Sequence, residues 1–181
     1  MPVSLIPDRV FSHYGQVTPA LLRQLDIRLL LCDLDYTLAP RSVSAPDGAL
    51  CAWLADCRAA GVTVMILSNN RSPARVEAFC GRLGIRYVGH AGKPRTRGYR
   101  EAMALAGVPP ECTAMLGDKL LTDVLGARRA GVLALMVEPL GGPVGAWNHV
   151  LHGLQKPFKW IARRRCRKNY EQISQDRGQA G

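Results

Sequence analysis

The chain has 181 residues, 48% of them hydrophobic and 21% charged, with a formal net charge of +10. That length builds one core but not two, and the mixture excludes a disordered or fibrous chain. No apolar run approaches the roughly 20 residues of a membrane-spanning helix, and Met1 to Val10 does not read as a secretory signal. The six cysteines (Cys32, Cys51, Cys57, Cys80, Cys112 and Cys166) are scattered and form no CxxC pair. They are expected to be reduced and packed in a cytoplasmic protein, not a disulfide framework or zinc site.

In chain order, Thr18-Pro19 reads as a cap and first position of a short helix running to Leu25. The N-terminal segment, 1–27, is expected to pack on the sheet that follows. Strands are predicted at Arg28–Cys32, Thr63–Leu67, Arg86–Val88, Thr113–Leu116 and Leu133–Val137. Helices are predicted at Pro46–Ala60, Pro73–Leu83, Arg97–Ala106 and Thr122–Ala130. Gly61, Gly84, Gly107 and Gly131 follow them as stop signals. Strands alternating with helices imply parallel pairing through right-handed crossovers. The fold class is therefore α/β: a three-layer α/β/α Rossmann-like sandwich with a central parallel sheet over 1–140. Its site should lie at the carboxyl ends of the strands, near the topological switch point.

The first strand ends in Asp33-Leu34-Asp35-Tyr36-Thr37. Two acids on alternate residues repel unless a cation or a shared proton sits between them, which suggests a hard ion such as Mg2+ with oxygen ligands. The second strand runs into Ser68-Asn69-Asn70, and the fourth into Gly117-Asp118-Lys119-Leu120-Leu121-Thr122-Asp123. Between them, Lys93 precedes a helix in Ala91-Gly92-Lys93-Pro94. An anionic substrate and a metal would account for all of these together. Singly, Asp118 or Asp123 could be a helix-start acid, Ser68 and Asn69 turn residues, and Lys93 a surface lysine.

This ordered set resembles the haloacid dehalogenase-like (HAD) superfamily of phosphohydrolases. Asp33-x-Asp35-x-Thr37, Ser68, Lys93 and Gly117-Asp118-x4-Asp123 match its four motifs in order. Ser68-Asn69-Asn70, Lys93-Pro94 and the run from Gly117 to Gly126 are closer to its YqeG-type group in subfamily IIIA. That group is similar to the phosphatidylglycerophosphate phosphatases of mitochondria and cyanobacteria. Tyr36 stands where the group often has Asn and Lys119 where it often has Gln, and neither is expected to carry chemistry. The resemblance implies Asp33 as nucleophile, Asp35 as general acid/base, and Lys93 as the neutralising cation. It implies Ser68 and the Asn69 N–H as phosphate ligands, with Thr37 positioning the site. Mg2+ would be held by Asp33, Asp118 and the Asp35 carbonyl, with Asp123 in support. An acid at position 35 fits a phosphatase better than a dehalogenase or a transport ATPase. The spans from Thr37 to Ser68 and from Ser68 to Lys93 leave no room for a cap domain, so the site should be open to a bulky substrate.

The excess charge is concentrated late in the chain. From Pro139 to Tyr170 there is no acid and there are seven bases: Lys156, Lys159, Arg163, Arg164, Arg165, Arg167 and Lys168. Trp147, Val150, Leu151 and Leu154 fall at helical spacing, and Phe158 and Ile161 extend the stripe beyond Pro157, which should kink or interrupt the helix. His149 and His152 read as interfacial polar residues. An apolar stripe flanked by bases describes either an interfacial membrane helix or a helix packed on its own core, with nucleic-acid contact the weaker third reading. Segment 141–181 is thus a basic amphipathic tail, disordered from Gln175 onward. The expectation is a capless, Mg2+-dependent phosphomonoesterase acting on phosphatidylglycerophosphate, cytoplasmic and peripheral to the membrane. The alternatives are a phosphatase of a soluble sugar phosphate, nucleotide or polynucleotide end, and a non-catalytic accessory that binds RNA or ribosomes through its tail.

Overall fold

The computed structural model describes residues 4–70, 73–141 and 153–165. Six parallel strands form one sheet in the order β1-β6-β5-β2-β3-β4. They are β1 (Arg9–Phe11), β2 (Leu29–Cys32), β3 (Thr63–Leu67), β4 (Tyr87–Val88), β5 (Thr113–Gly117) and β6 (Leu133–Val137). The helices are α1 (Pro19–Gln24), α2 (Gly48–Ala59), α3 (Pro73–Leu83), α4 (Arg97–Ala106), α5 (Leu125–Ala130) and a last helix, α6, at 153–165. The predicted strands and helices are all present, within one or two residues at most boundaries.

Side chains on alternate positions of the strands feed two separate cores. Leu30, Cys32, Val64, Ile66, Ala114 and Leu116 face α1, α2 and α3. Leu29, Leu31, Met65, Leu67 and Met115 face α4 and α5. β2 is buried along its whole length, which is why it reads as an unbroken apolar run. Part of the N-terminal segment lies against the sheet's helices. Leu22 of α1 is fully buried, and the Trp53 indole of α2 donates to the Val17 carbonyl at 2.9 Å. Gly107 and Gly131 close their helices in the left-handed region, at φ of +65° and +73°.

Four features differ from the sequence expectations. β1 extends the sheet at the β6 edge, with Val10 opposite Met136. It is only three half-buried residues long, too short to show a pattern. The helix expected over 122–130 is two pieces: a wide, π-type turn over Leu120–Val124 and then α5. Among the cysteines, Cys32, Cys57, Cys80 and Cys112 are buried but Cys51 is exposed; none of these is bonded to another.

The fourth difference concerns the tail. α6 runs unbroken across Pro157. The proline removes one backbone bond, the one that would have reached back to Gly153, and the helix continues past it. The expected single apolar stripe divides. Phe158 packs on the Leu29–Met65 core, whereas Leu154 of the same stripe faces outward, 63% exposed. Ala162 is buried, and Trp160, outside the expected stripe, is 59% exposed. Lys159 is buried on Glu138, and Arg163 reaches the same carboxylate at 3.0 Å. Trp147, Val150, Leu151, His149, His152 and the segment from Gln175 lie outside the described residues. No helix among the described residues is long and apolar enough to cross a membrane.

Candidate active site

β2, β3 and β5 are neighbours at the centre of the sheet, and the chain leaves β2 for β3 on one side but pairs β5 on the other. This is the switch point, and the crevice lies beyond the carboxyl ends of these strands. Asp33 follows β2, Ser68 follows β3, and Asp118 follows β5. Asp33, Asp118 and Asp123 are all buried, and each offers an oxygen within 4.8 Å of the others. The turn over Leu120–Val124 returns Asp123 to the strand end, where its Oδ2 accepts from the Lys119 N–H at 3.0 Å. Gly117 makes that return feasible: a Cβ there would stand 2.4 Å from the Asp123 carboxylate carbon. Behind it, the buried Tyr99 hydroxyl donates to the Asp123 carbonyl at 3.1 Å.

Lys93 lies between two of the acids. Its ammonium is 2.8 Å from Asp33 Oδ1 and 2.8 Å from Asp123 Oδ1. Burial works against that charge, but the Asp123 and Asp33 carboxylates outweigh it and hold the lysine pKa above its ordinary value. Lys93 is held in place through its backbone. Asn69 Nδ2 donates to the Lys93 carbonyl at 2.9 Å, and the Lys93 N–H donates to Asn69 Oδ1 at 2.8 Å. The Asn69 side chain is thus committed to the Lys93 loop, leaving only its backbone N–H for the phosphate contact expected of it.

Burial raises the Asp33 pKa, with Lys93 opposing and Asp123 reinforcing the shift. Asp118 is pushed up to about 7 by burial, against the pull of Lys119. Three carboxylates facing two ammoniums leave the trio under-compensated, a donor set of hard oxygens that fits a divalent cation. The Thr37 hydroxyl reaches Asp118 Oδ1 at 3.4 Å. Asp33, Asp35, Ser68, Asn69, Lys93 and Asp123 all line one cavity of about 150 Å3. The sequence-predicted residues therefore converge, with Asp35 beside the trio and not in it.

The structure adds residues that sequence reasoning missed. Lys119, expected to be inconsequential, lies 3.0 Å from Asp118 Oδ1 and lines the same cavity. Its place one residue after Asp118 was the available signal. Tyr36 adopts φ of +67°, a region that costs a non-glycine residue roughly 1–2 kcal/mol and that asparagine enters more readily. The Leu140 N–H holds its carbonyl at 2.7 Å, and the Lys119 ammonium lies 5.8 Å from its ring centroid. Asn70 and Arg75 both grip Asp35; an arginine in a helix carries no sequence mark of such a contact.

A switch-point crevice that gathers carboxylates, a bridging lysine and a strand-end serine defines a hydrolase built for phosphoryl chemistry. The family model for haloacid dehalogenase-like hydrolases matches residues 15–131, and the chain belongs to that family. It is 31% identical over 140 residues to the probable phosphatase YqeG of Bacillus subtilis, covering 77% of this chain and 81% of that protein. It is also 31% identical over 156 residues to the chloroplastic phosphatidylglycerophosphate phosphatase 1 of Chlamydomonas reinhardtii, covering 78% of this chain and 55% of that protein. In fold it is similar to the cobalt-bound deoxy-D-mannose-octulosonate 8-phosphate phosphatase of Haemophilus influenzae, with a TM-score of 0.52 at 18% identity. That match covers 76% of this chain and 91% of the other. The protein is accordingly a HAD-type phosphatase, a phosphoric monoester hydrolase.

Proposed function

We propose that this enzyme is a Mg2+-dependent phosphatase that works through an aspartyl-phosphate on Asp33 and converts phosphatidylglycerophosphate to phosphatidylglycerol. The buried trio bridged by Lys93, opening on a small cavity beside Ser68, carries the reading. A carboxylate oxygen of Asp33 attacks phosphorus as the bond to the leaving oxygen breaks, and Asp35 gives that oxygen a proton. Asp35 then takes a proton from water, whose oxygen attacks the same phosphorus and releases inorganic phosphate and the Asp33 carboxylate. Ser68 and the Asn69 N–H hold phosphate oxygens, Lys93 offsets their charge, and Thr37 steadies Asp118. Asp33, Asp118 and the Asp35 carbonyl, backed by Asp123, would hold the Mg2+, which supplies neutralisation of the phosphoryl oxygens when bound.

Mg2+ must displace the proton that the metal-free Asp118 keeps up to about pH 7. Its affinity should therefore rise about tenfold per pH unit below that point and level off above it. The stability of the metal-free fold runs the other way. A pKa raised in the folded state contributes stability that is present below the ordinary value of 3.8 and lost as pH climbs through about 7. Calorimetric titration of Mg2+ between acidic and mildly alkaline pH checks this. A flat affinity would remove Asp118 from the ligand set.

Three observations support the lipid. Only a loop, α2 and β3 separate Thr37 from Ser68, and α3 and β4 separate Ser68 from Lys93, so the substrate's bulk can stay outside. The Chlamydomonas relative carries that activity in its name. α6 is pinned to Glu138, just past β6, at the carboxyl edge that carries Asp33 and Asp118. Its outward face sets Trp160 between Lys156 and Arg164 at four-residue spacing, with Arg164 5.2 Å from the Trp160 ring. An aromatic anchor between bases suits an anionic bilayer, where each base contributes about 1 kcal/mol. The domain reading follows: a phosphatase domain over 1–140 and a tail over 141–181, whose helix α6 docks on that domain while its outward face meets the membrane.

The test is phosphate release from phosphatidylglycerophosphate in mixed micelles with Mg2+, beside a panel of soluble phosphomonoesters. A triple variant with Lys156→Gln, Trp160→Ala and Arg164→Gln should lose turnover on micelles and keep it on soluble esters. Efficient turnover of a soluble ester with none of the lipid would keep the chemistry and discard this substrate.

A further inference from the structure

Asp35 stands beside the buried trio, and both of its oxygens are engaged. Asn70 Nδ2 donates to Oδ2 at 2.9 Å. Arg75 approaches Oδ1 with Nε at 3.1 Å and Nη2 at 3.0 Å. The same guanidinium continues outward, with Nη2 donating to the Pro40 carbonyl at 3.2 Å and Nη1 to the Val43 carbonyl. One side chain from the first turn of α3 thereby joins three separate segments: α3 itself, the turn that carries Asp35, and the loop leading into α2.

We propose that Arg75 is a positioning residue for the acid/base step, fixing the Asp35 carboxylate at the mouth of the cavity by tying it to the 40–43 loop. Three arguments favour this over a solvated surface pair. Both partners are largely enclosed, with side chains 16% and 17% exposed, whereas exposed pairs contribute little. Arg75 meets a carboxylate and two carbonyls through four contacts from three nitrogens of a planar fork, more than the three donors on a lysine's single nitrogen can make. A base in the first turn of a helix also opposes the helix dipole, where acids are favoured, and α3 has no acid there. Nor is Arg75 placed as a ligand for substrate phosphate, because it does not line the cavity and its guanidinium turns toward Asp35, Pro40 and Val43.

The inference rests on reading Asp35 as the acid/base, so the test separates the two. A leaving alkoxide needs a proton, whereas a nitrophenolate departs without one. Arg75→Met should lower kcat on glycerol phosphate by about 10- to 100-fold, a part of the roughly 100- to 10,000-fold that general acid–base catalysis contributes. It should change kcat on p-nitrophenyl phosphate by no more than about threefold, with KM little altered. Arg75→Lys should recover only part of the loss. In an Asp35→Asn background, Arg75→Met should add nothing, because residues acting through one another are non-additive. A melting temperature for each variant shows whether it folds. Equal losses on both esters, or full additivity with Asp35→Asn, would overturn the role of Arg75 and leave Asp35 in place. An Asp35→Asn enzyme that retains alkyl ester turnover would overturn the reading of Asp35, and the inference with it, as would an enzyme that hydrolyses neither ester.

Discussion

Asp33→Asn is expected to abolish phosphate release, by on the order of 1,000-fold or more, while the protein folds as before. The amide keeps an oxygen for the Lys93 ammonium, which stands 2.8 Å from Asp33 Oδ1, and Lys93 retains its second partner in Asp123. What disappears is one negative charge from a trio that has too many and, on the proposed mechanism, the attacking carboxylate. The melting temperature of the metal-free variant should therefore equal or exceed that of the parent. Its gain on adding Mg2+ should shrink, because one anionic ligand has been removed. Burial holds the Asp33 pKa above its ordinary value in the metal-free protein, with Lys93 opposing, so the charge that the substitution deletes is one that the fold accommodates reluctantly. Acid-quenched enzyme caught during turnover should carry phosphate on the peptide containing Asp33, and Asp33→Asn should carry none. A variant that keeps measurable turnover, or label that falls on another residue, would end the aspartyl-phosphate mechanism.

The sheet and much of the site are legible in the sequence because the same force writes both. β2, β3, β5 and β6 are buried along nearly their whole length, so the hydrophobic effect demands unbroken apolar runs, and a polar residue at the end of such a run stands out. Asp33, Ser68 and Asp118 are visible for that reason. The glycines that end the helices are visible too, since a positive φ selects for them. What stays hidden is set by backbone pairing or by contacts between distant segments. β1 is held by backbone ladder bonds to β6, which leave little mark on side-chain pattern. The widened turn at Leu120–Val124 depends on the close approach of Gly117 to Asp123, and no periodicity reports a difference of one residue per turn. Arg75 meets Asp35 across 40 positions, and from sequence it is one more base on an amphipathic helix. The division of the tail's stripe, with Phe158 inward and Leu154 outward, goes with the docking of Lys159 and Arg163 against Glu138. No reading of the tail alone could supply that carboxylate.

Lys93→Met should damage folding and activity together, and the way its cost varies with pH identifies the cause. In the parent, one ammonium satisfies Asp33 and Asp123 at once, in a setting where its side chain is 2% exposed. Removing one partner of a buried ion pair typically costs about 3–5 kcal/mol, because the charge left behind keeps its desolvation penalty. Here two carboxylates are left behind, beside a third in Asp118. Losing the ammonium removes the main opposition to the burial that already raises the Asp33 pKa, so that carboxylate takes up a proton more readily in the folded state. A raised folded-state pKa contributes stability that is present below the unfolded value and lost as pH rises through the folded one. The variant should therefore lie nearest the parent in acid and fall furthest behind it at alkaline pH. Mg2+ should narrow the gap by returning positive charge to the same oxygens. Activity should fall by roughly 100- to 1,000-fold even where Mg2+ restores the fold, the usual cost of losing one preorganised electrostatic contact to a developing charge. Thermal melts across pH, with and without Mg2+, separate these effects. If the stability gap were constant with pH, Lys93 would be acting through packing alone, and the electrostatic account of the trio would fail.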